Sequence, residues 1–206
     1  MQDYKEILET DSFYHIYNRA NGNEKLFIND GNYQYFLKRY DHYITPIADT
    51  FAYCLMPNHF HFLVRIKSDN IITETYQGFE TLDMLSRGKY LTKQFSNLFN
   101  GYTQAFNKQN KRMGSLFIPR YNRKRITSQE YLKNVINYIH QNPVHHSYAN
   151  KLDEWEYSSF ISLITDKPTK LNKQEVFDIF DDEKGFLEYH NFNSGKDFGD
   201  DFGLKY

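Results

Sequence analysis

The chain carries a single cysteine, Cys54, among its 206 residues. No disulfide can therefore close within it, and no thiolate cluster can hold a metal. Cys54 alternates within Phe51-Ala52-Tyr53-Cys54-Leu55 and reads as a small core residue. No apolar run approaches the ~18 residues of a membrane span. The first residues, Met1-Gln2-Asp3-Tyr4-Lys5-Glu6, lack a basic region followed by an apolar one, so no signal peptide is expected. Internal repeats and low-complexity tracts are also absent. These absences lead to the expectation of a soluble, cytoplasmic protein with no membrane partner.

A second absence is local. Residues 84–129 contain no Asp or Glu, yet they hold ten basic residues. The flanks are acidic: residues 1–83 hold 7 basic and 12 acidic side chains, and residues 151–206 hold 7 and 13. The net charge of −1 conceals this division. A positive middle between acidic flanks suits a polyanion as partner. Lys111, Arg112, Arg120, Arg123, Lys124 and Arg125 fall in this stretch, and its segment 108–125 is expected to hold a nucleic-acid backbone. Aromatic residues interleave with these cations, as stacking on bases requires. The chain has 18 Tyr and 18 Phe, and most of them must serve the core.

The length fits one domain with an appendage. Ser12–Asn18 reads as a first strand. Gly31 to about Ile44 has helical spacing through Tyr33, Phe36, Leu37 and Tyr40, and Pro46 stops it. Phe51–Leu55 and His59–Lys67 are expected to form a hairpin around Met56-Pro57-Asn58. Residues 68–80 read as a loop or irregular insert. Leu82–Asn107 is helical with interruptions near Gly88 and Gly101. Met113–Ile118 reads as a strand before a basic loop. Ser128–Gln141 carries the stripe Tyr131, Leu132, Val135, Ile136, Ile139 and ends at Asn142-Pro143. Short helices are expected at Lys173–Phe180 and Lys184–Tyr189, and Ser194–Tyr206 is expected to be a mobile tail. This order implies an α+β fold, an antiparallel sheet with helices packed on one face.

The most informative run is Met56-Pro57-Asn58-His59-Phe60-His61-Phe62-Leu63-Val64. Side chains at i and i+2 of a strand share a face, about 6.6 Å apart. His59 and His61 can therefore grip one metal ion while Phe60, Phe62 and Val64 pack on the other side. In the helix ending at Asn142, Tyr138 and Asn142 share a face at i and i+4. Asn142 can offer an amide oxygen to a metal and Tyr138 a phenol beside it. Two imidazoles, an amide oxygen and water suit Mg2+ or Mn2+ at least as well as Zn2+. Each residue also has a plainer reading: His59 and His61 as packing, Tyr138 as a core aromatic, Asn142 as a helix stop. His140, His145 and His146 read as solvated or dipole-satisfying residues at a helix end.

Five blocks in order tip the balance: Tyr14-His15-Ile16-Tyr17-Asn18-Arg19; Tyr53 to Val64; Gly114-Ser115-Leu116-Phe117 with Arg120-Tyr121; Tyr138-Ile139-His140-Gln141-Asn142-Pro143-Val144; and Trp155-Glu156-Tyr157-Ser158-Ser159. Together they resemble the REP-associated tyrosine transposases, single-tyrosine members of the HUH (histidine–hydrophobic–histidine) group, over about residues 12–160. The resemblance implies a ferredoxin-like or RRM-like sheet with the histidines on a central strand. It implies His59, His61 and Asn142 as metal ligands, and Tyr138 as a nucleophile that leaves a 5′-phosphotyrosine and a free 3′-OH on single-stranded, hairpin-forming DNA. Arg19 joins the expected DNA-contacting cations. The family's usual Gly is missing after Arg19 and after Asn142-Pro143-Val144. The domain is expected to span residues 1–165, with an acidic, partly helical extension over 166–206. A nucleic-acid-binding module without cleavage and a zinc-dependent hydrolase remain alternatives. Monomer and homodimer are both open.

Overall fold

The computed structural model describes residues 6–75 and 83–194. Its centre is a four-stranded antiparallel sheet built from β1 (Phe13–Arg19), β2 (Ala48–Met56), β3 (His59–Ile66) and β4 (Asn122–Ile126), in the order β2-β3-β1-β4. The inner strand β3 is buried along almost its whole length, and β2 is largely buried although it lies at an edge of the sheet. Leu55↔Phe60 and Met56↔His59 close the β2–β3 hairpin.

Alternation along β3 divides the core in two. Phe60, Phe62, Val64 and Ile66 face helices α1 (Asp30–Tyr43) and α3 (Met84–Gln109), where Phe27, Phe36, Phe99 and Tyr102 complete an aromatic core. This is the expected layer of helices on one face. A second layer lies on the histidine face. There Leu63, Phe51 and Met56 pack with α4 (Gln129–His145), α5 (Ser159–Ile164), α6 (Lys173–Ile179) and α7 (Glu183–Phe192) around Val135, Ile136, Ile139, Phe160, Phe177 and Phe186. The edge of β2 is covered by the chain after α4. The Leu55 N–H donates to Tyr157 O at 2.9 Å, and the Tyr53 N–H donates to Ser159 Oγ at 2.8 Å. Covering an edge strand in this way removes a template for unwanted pairing.

Several elements differ from the sequence reading. Part of the expected loop 68–80 is a short helix, α2 (Asp69–Thr75), while residues 76–80 lie outside the described residues. Helix α3 runs unbroken through Gly88 and Gly101; a side chain at Gly88 would strike Ile7 and one at Gly101 would strike the Arg39 guanidinium. These glycines serve close approach rather than a bend. Met113–Ile118 forms no strand; only a single bridge joins Phe117 to Ala20. The strand falls instead within the expected basic loop, as β4. Helix α4 does not stop at Asn142 but carries Pro143 inside its last turn and ends at His145. It is closed by a Schellman motif: Tyr148 N–H donates to Pro143 O at 2.8 Å and Ser147 N–H to Val144 O at 3.0 Å. Ser147 adopts φ 57° where a glycine would be unstrained. The expected helices at 173–180 and 184–189 correspond to α6 and α7, and the expected tail beyond Ser194 lies outside the described residues.

The histidine-side layer is joined by a buried hydrogen-bond chain. His190 Nδ1 lies 2.8 Å from Phe186 O and must donate to it. His190 Nε2 therefore accepts from His140 Nδ1 at 2.9 Å, and His140 Nε2 accepts from Ser159 Oγ at 2.8 Å. Every polar atom is satisfied with both rings neutral, so the chain ties α7 to α4 and α5 only in that charge state. Burial holds the His190 pKa down to about 4 and keeps that of His140 well below its usual range. Below pH 6.5 the unfolded chain takes up protons that the native rings refuse, so stability falls as pH drops from about 6.5 toward 4. At about 1.4 kcal/mol per unit, His190 alone contributes roughly 3 kcal/mol of that loss. Urea unfolding at pH 7.5 and 4.5 should show it, and His190→Gln, which keeps an acceptor for His140, should flatten the slope. Equal stability at both pH values would contradict this account.

Candidate active site

The site is assembled where α4 crosses the histidine face of β3 and β1. Cross-strand register sets the floor: Tyr17 stands opposite His61, and Arg19 stands opposite His59. These pairs share the α4 side of the sheet. Ser128 starts α4 by accepting from the Tyr131 N–H at 3.2 Å, and the stripe Leu132, Val135, Ile136, Ile139 seats the helix on the sheet. That seating turns Tyr138 and Asn142 toward the two histidines. The Tyr138 ring packs edge-on to His61 at 5.3 Å and to His15 at 6.0 Å.

The proton inventory at this floor is unusual. His59 Nδ1 lies 2.8 Å from Asn58 Oδ1, an acceptor, so Nδ1 carries the ring's proton and Nε2 keeps a lone pair. Asn142 Nδ2 donates to Tyr138 O at 2.9 Å, which fixes the amide and turns its oxygen inward. His59 Nε2 and Asn142 Oδ1 then face each other at 3.2 Å. Two lone pairs at this distance repel unless a cation or a proton lies with them. A proton is disfavoured, since burial, with smaller contributions from His146 and Arg19, outweighs the Asn142 hydrogen bond and lowers the His59 pKa to about 4.

His61 adds a third atom. Its Nδ1 is 2.9 Å from His15 Nε2, and its Nε2 is buried without a hydrogen-bond partner among the described residues. With the proton on Nδ1, His15 accepts and Nε2 keeps a lone pair for a ligand. Either direction of this bond leaves one buried N–H unmatched among the described residues, on His15 Nδ1 or on His61 Nε2, and a cation at His61 Nε2 would select the first. Burial, then the proximity of His15, His59 and His146, holds His61 neutral. His15 is itself held neutral by burial and by Lys124, with a pKa of about 3. His59 Nε2, His61 Nε2 and Asn142 Oδ1 are thus a donor set that fits a divalent cation. Because the third donor is an amide oxygen, no group of three His, Cys, Asp or Glu side chains among the described residues would reveal it.

The seven candidate DNA-contacting cations do not form one surface. Arg19 is exposed beside His59, and Lys124 stands opposite His15 on the same face, over the Tyr131 ring at 4.9 Å. Arg123 and Arg125 alternate to the other face. Arg123 donates to Thr92 Oγ1 at 2.8 Å, and Arg125 pairs with Glu9 at 2.7 Å. Arg112 is committed to Glu24 at 3.1 Å, while Lys111 and Arg120 are exposed in turns at φ 51° and 66°. His15 has no role legible in the sequence, although it lies within Tyr14-His15-Ile16-Tyr17-Asn18-Arg19. Of the three histidines expected to be solvated or dipole-satisfying, His140 is instead fully buried, and His146 caps α4 with its ring 5.0 Å from that of His59.

Comparisons with known proteins agree with this architecture. A Haemophilus influenzae protein that carries the name REP-associated tyrosine transposase is 30% identical over 114 residues, which is 54% of this chain and 58% of the relative. The match thus spans little more than half the length of that relative. A solved REP-associated tyrosine transposase bound to a REP hairpin superposes with a TM-score of 0.57, at 16% identity, over 80% of this chain and 86% of the other. The first likeness is one of sequence over about half of this chain, and the second is one of fold. No family model matches the chain.

Long-range 1H–15N spectra at pH 7 with saturating Mg2+ should show His61 protonated at Nδ1 and bare at Nε2. A His61 Nε2–H that persists with Mg2+ bound would contradict the donor set.

Proposed function

We propose that this protein cleaves and rejoins single-stranded DNA at a hairpin, using Tyr138 as nucleophile. The observation that carries the reading is the convergence of His59 Nε2 and Asn142 Oδ1, both without a proton, at 3.2 Å beneath the Tyr138 helix. A buried pair of lone pairs next to a phenol has little value in a binding surface and clear value in phosphoryl transfer. His59, His61 and Asn142 would hold the divalent cation, Mg2+ or Mn2+. When bound, such an ion polarises a phosphate and stabilises the charge that develops on it.

The residues supply the remaining steps. Tyr138 oxygen attacks the scissile phosphorus, the bond from phosphorus to the 3′-oxygen breaks, and the phenolic proton ends on that 3′-oxygen after transfer through solvent. The 5′ phosphate is now esterified to Tyr138. Attack by a 3′-OH reverses the step, releases the tyrosine and joins the new ends. Covalent storage of the phosphodiester is what separates strand transfer from hydrolysis. A tyrosine hydroxyl has an ordinary pKa of about 10, so it needs this electrostatic help at neutral pH. Arg19 and Lys124, on the site's own face, are the cations best placed to hold the adjacent phosphates. The family likeness, and the hairpin bound to the structural neighbour, support hairpin DNA as substrate.

The test is trapping. A pool of 3′-labelled hairpin oligonucleotides with randomised single-stranded flanks, incubated with Mn2+, should leave label on the protein in denaturing gels. Tyr138→Phe should lower that label by about a thousandfold or more, since no other nucleophile replaces the phenol. Label retained at the level of the unaltered protein would remove Tyr138 from this role. Label absent from all proteins, with hairpin binding intact, would favour a binding module.

A further inference from the structure

Helix α3 and the edge strand β4 border an open groove of about 420 Å3 on the side of the sheet away from His59 and His61. It lies within the acid-free stretch of the sequence, residues 84–129, and draws cations from both elements. Lys89 and Lys93 stand one turn apart on α3, beside Thr92 and Ser96, and Arg123 reaches in from β4. Every ionisable side chain that lines it, among the described residues, is basic. Lys89 and Lys93 are exposed, and neither makes an ion pair among those residues.

The way Arg123 is held separates this groove from ordinary charged surface. The Thr92 hydroxyl donates to Gly88 O at 2.8 Å, so its lone pairs are left to accept from Arg123 Nη1, also at 2.8 Å. The same Nη1 donates to the Tyr121 hydroxyl at 3.3 Å, and the guanidinium stands 5.7 Å from the centre of the Tyr121 ring. One nitrogen does the anchoring, and Nη2 and Nε keep their N–H groups for a ligand. A guanidinium fixed in this way matches a phosphate. The carboxylates that border the groove are engaged: Asp83 accepts from the Ser86 N–H at 2.7 Å, and Glu9 pairs with Arg125 at 2.7 Å.

The rest of the lining is aliphatic, with no aromatic ring among the described residues. Surfaces that hold single strands offer aromatic platforms for bases. Cations and hydroxyls without such platforms engage phosphates and leave the bases to pair with each other. Building on the hairpin substrate proposed above, we infer that this groove holds the sugar–phosphate backbone of the hairpin's paired stem. Strand β4 is the outer strand of the sheet, and it turns Lys124 to the site and Arg123 to the groove. DNA that passes this edge therefore meets a cation on each side. The stem is gripped on one face while its single-stranded flank reaches Tyr138 on the other.

Fluorescence anisotropy separates stem from flank. Two DNA probes carry the same randomised single-stranded flank, one joined to a hairpin of about ten base pairs, a full helical turn, and one without it. The unaltered protein should bind the hairpin probe more tightly. Lys89→Ala/Lys93→Ala should weaken that binding about tenfold at about 0.1 M salt, and lower the slope of log Kd against log salt by about 2, because each lost phosphate contact removes about 0.9. Its affinity for the stemless probe and its circular dichroism should stay unchanged, since both positions are exposed on a helix and alanine suits them. Lys167→Ala/Lys184→Ala removes the same charge from the C-terminal part and should leave the slope unaltered. Unchanged hairpin affinity and slope in Lys89→Ala/Lys93→Ala would overturn the stem groove. An equal loss on the stemless probe, or in the Lys167→Ala/Lys184→Ala control, would overturn it as well. Equal affinity of the unaltered protein for the two probes would remove the hairpin reading together with the groove. A missing covalent adduct, with the stem-dependent loss intact, would leave the groove standing and remove only the cleavage.

Discussion

The antiparallel register of β1 on β3 governs the rest of this molecule. Tyr17 opposite His61 and Arg19 opposite His59 put imidazoles and a cation on one face and the phenylalanines on the other. A slip of one residue would exchange the faces, turning His59 and His61 into the aromatic core of Phe36, Phe99 and Tyr102 and turning Phe60 and Phe62 toward α4. The cost of that exchange makes the register strongly specified. The aromatic core on the α1–α3 side therefore positions the site as firmly as any residue within it.

A floor of neutral imidazoles is only half of the arrangement. The other half arrives on α4, whose apolar stripe is seated on Leu63 and Ile126, and whose Asn142 is turned inward by its bond to Tyr138 O. Residues beyond 166 reinforce that seating through Phe177 and Phe186 and through the His140–His190 bond, so the acidic C-terminal part contributes to holding the helix that carries Tyr138. Substrate charge and site charge are also partitioned. Alternation in β4 sends Lys124 to the site and Arg123 and Arg125 to the far side, where Thr92 and Glu9 engage them.

Strong periodicity was legible in the sequence. The alternation through His59–Val64, the stripe of α4 and the i, i+4 pairing of Tyr138 with Asn142 each follow from a period that burial enforces. What escaped detection lacked such a period. Strand β4, Asn-Arg-Lys-Arg-Ile, is a half-exposed edge with little apolar contrast, so only its pairing with β1 identifies it. Pro143 stops most helices, but in the last turn its missing N–H removes one bond, and the Schellman closure follows two residues later. Gly88 and Gly101 were read as breaks because the groups that crowd them, Ile7 and Arg39, come from distant segments. His15 and His146 carry no local signal at all. Their contacts come from neighbours 46 and 87 residues away along the chain, His61 and His59.

The central claim is that His59 Nε2, His61 Nε2 and Asn142 Oδ1 share one cation beside Tyr138. Anomalous diffraction from crystals of the unaltered protein soaked in Mn2+ tests it most directly. A single strong peak within about 2.4 Å of all three atoms is the expected result. A crystal saturated with Mn2+ that shows its peak elsewhere, with His59 and Asn142 still joined at their present separation, would contradict it.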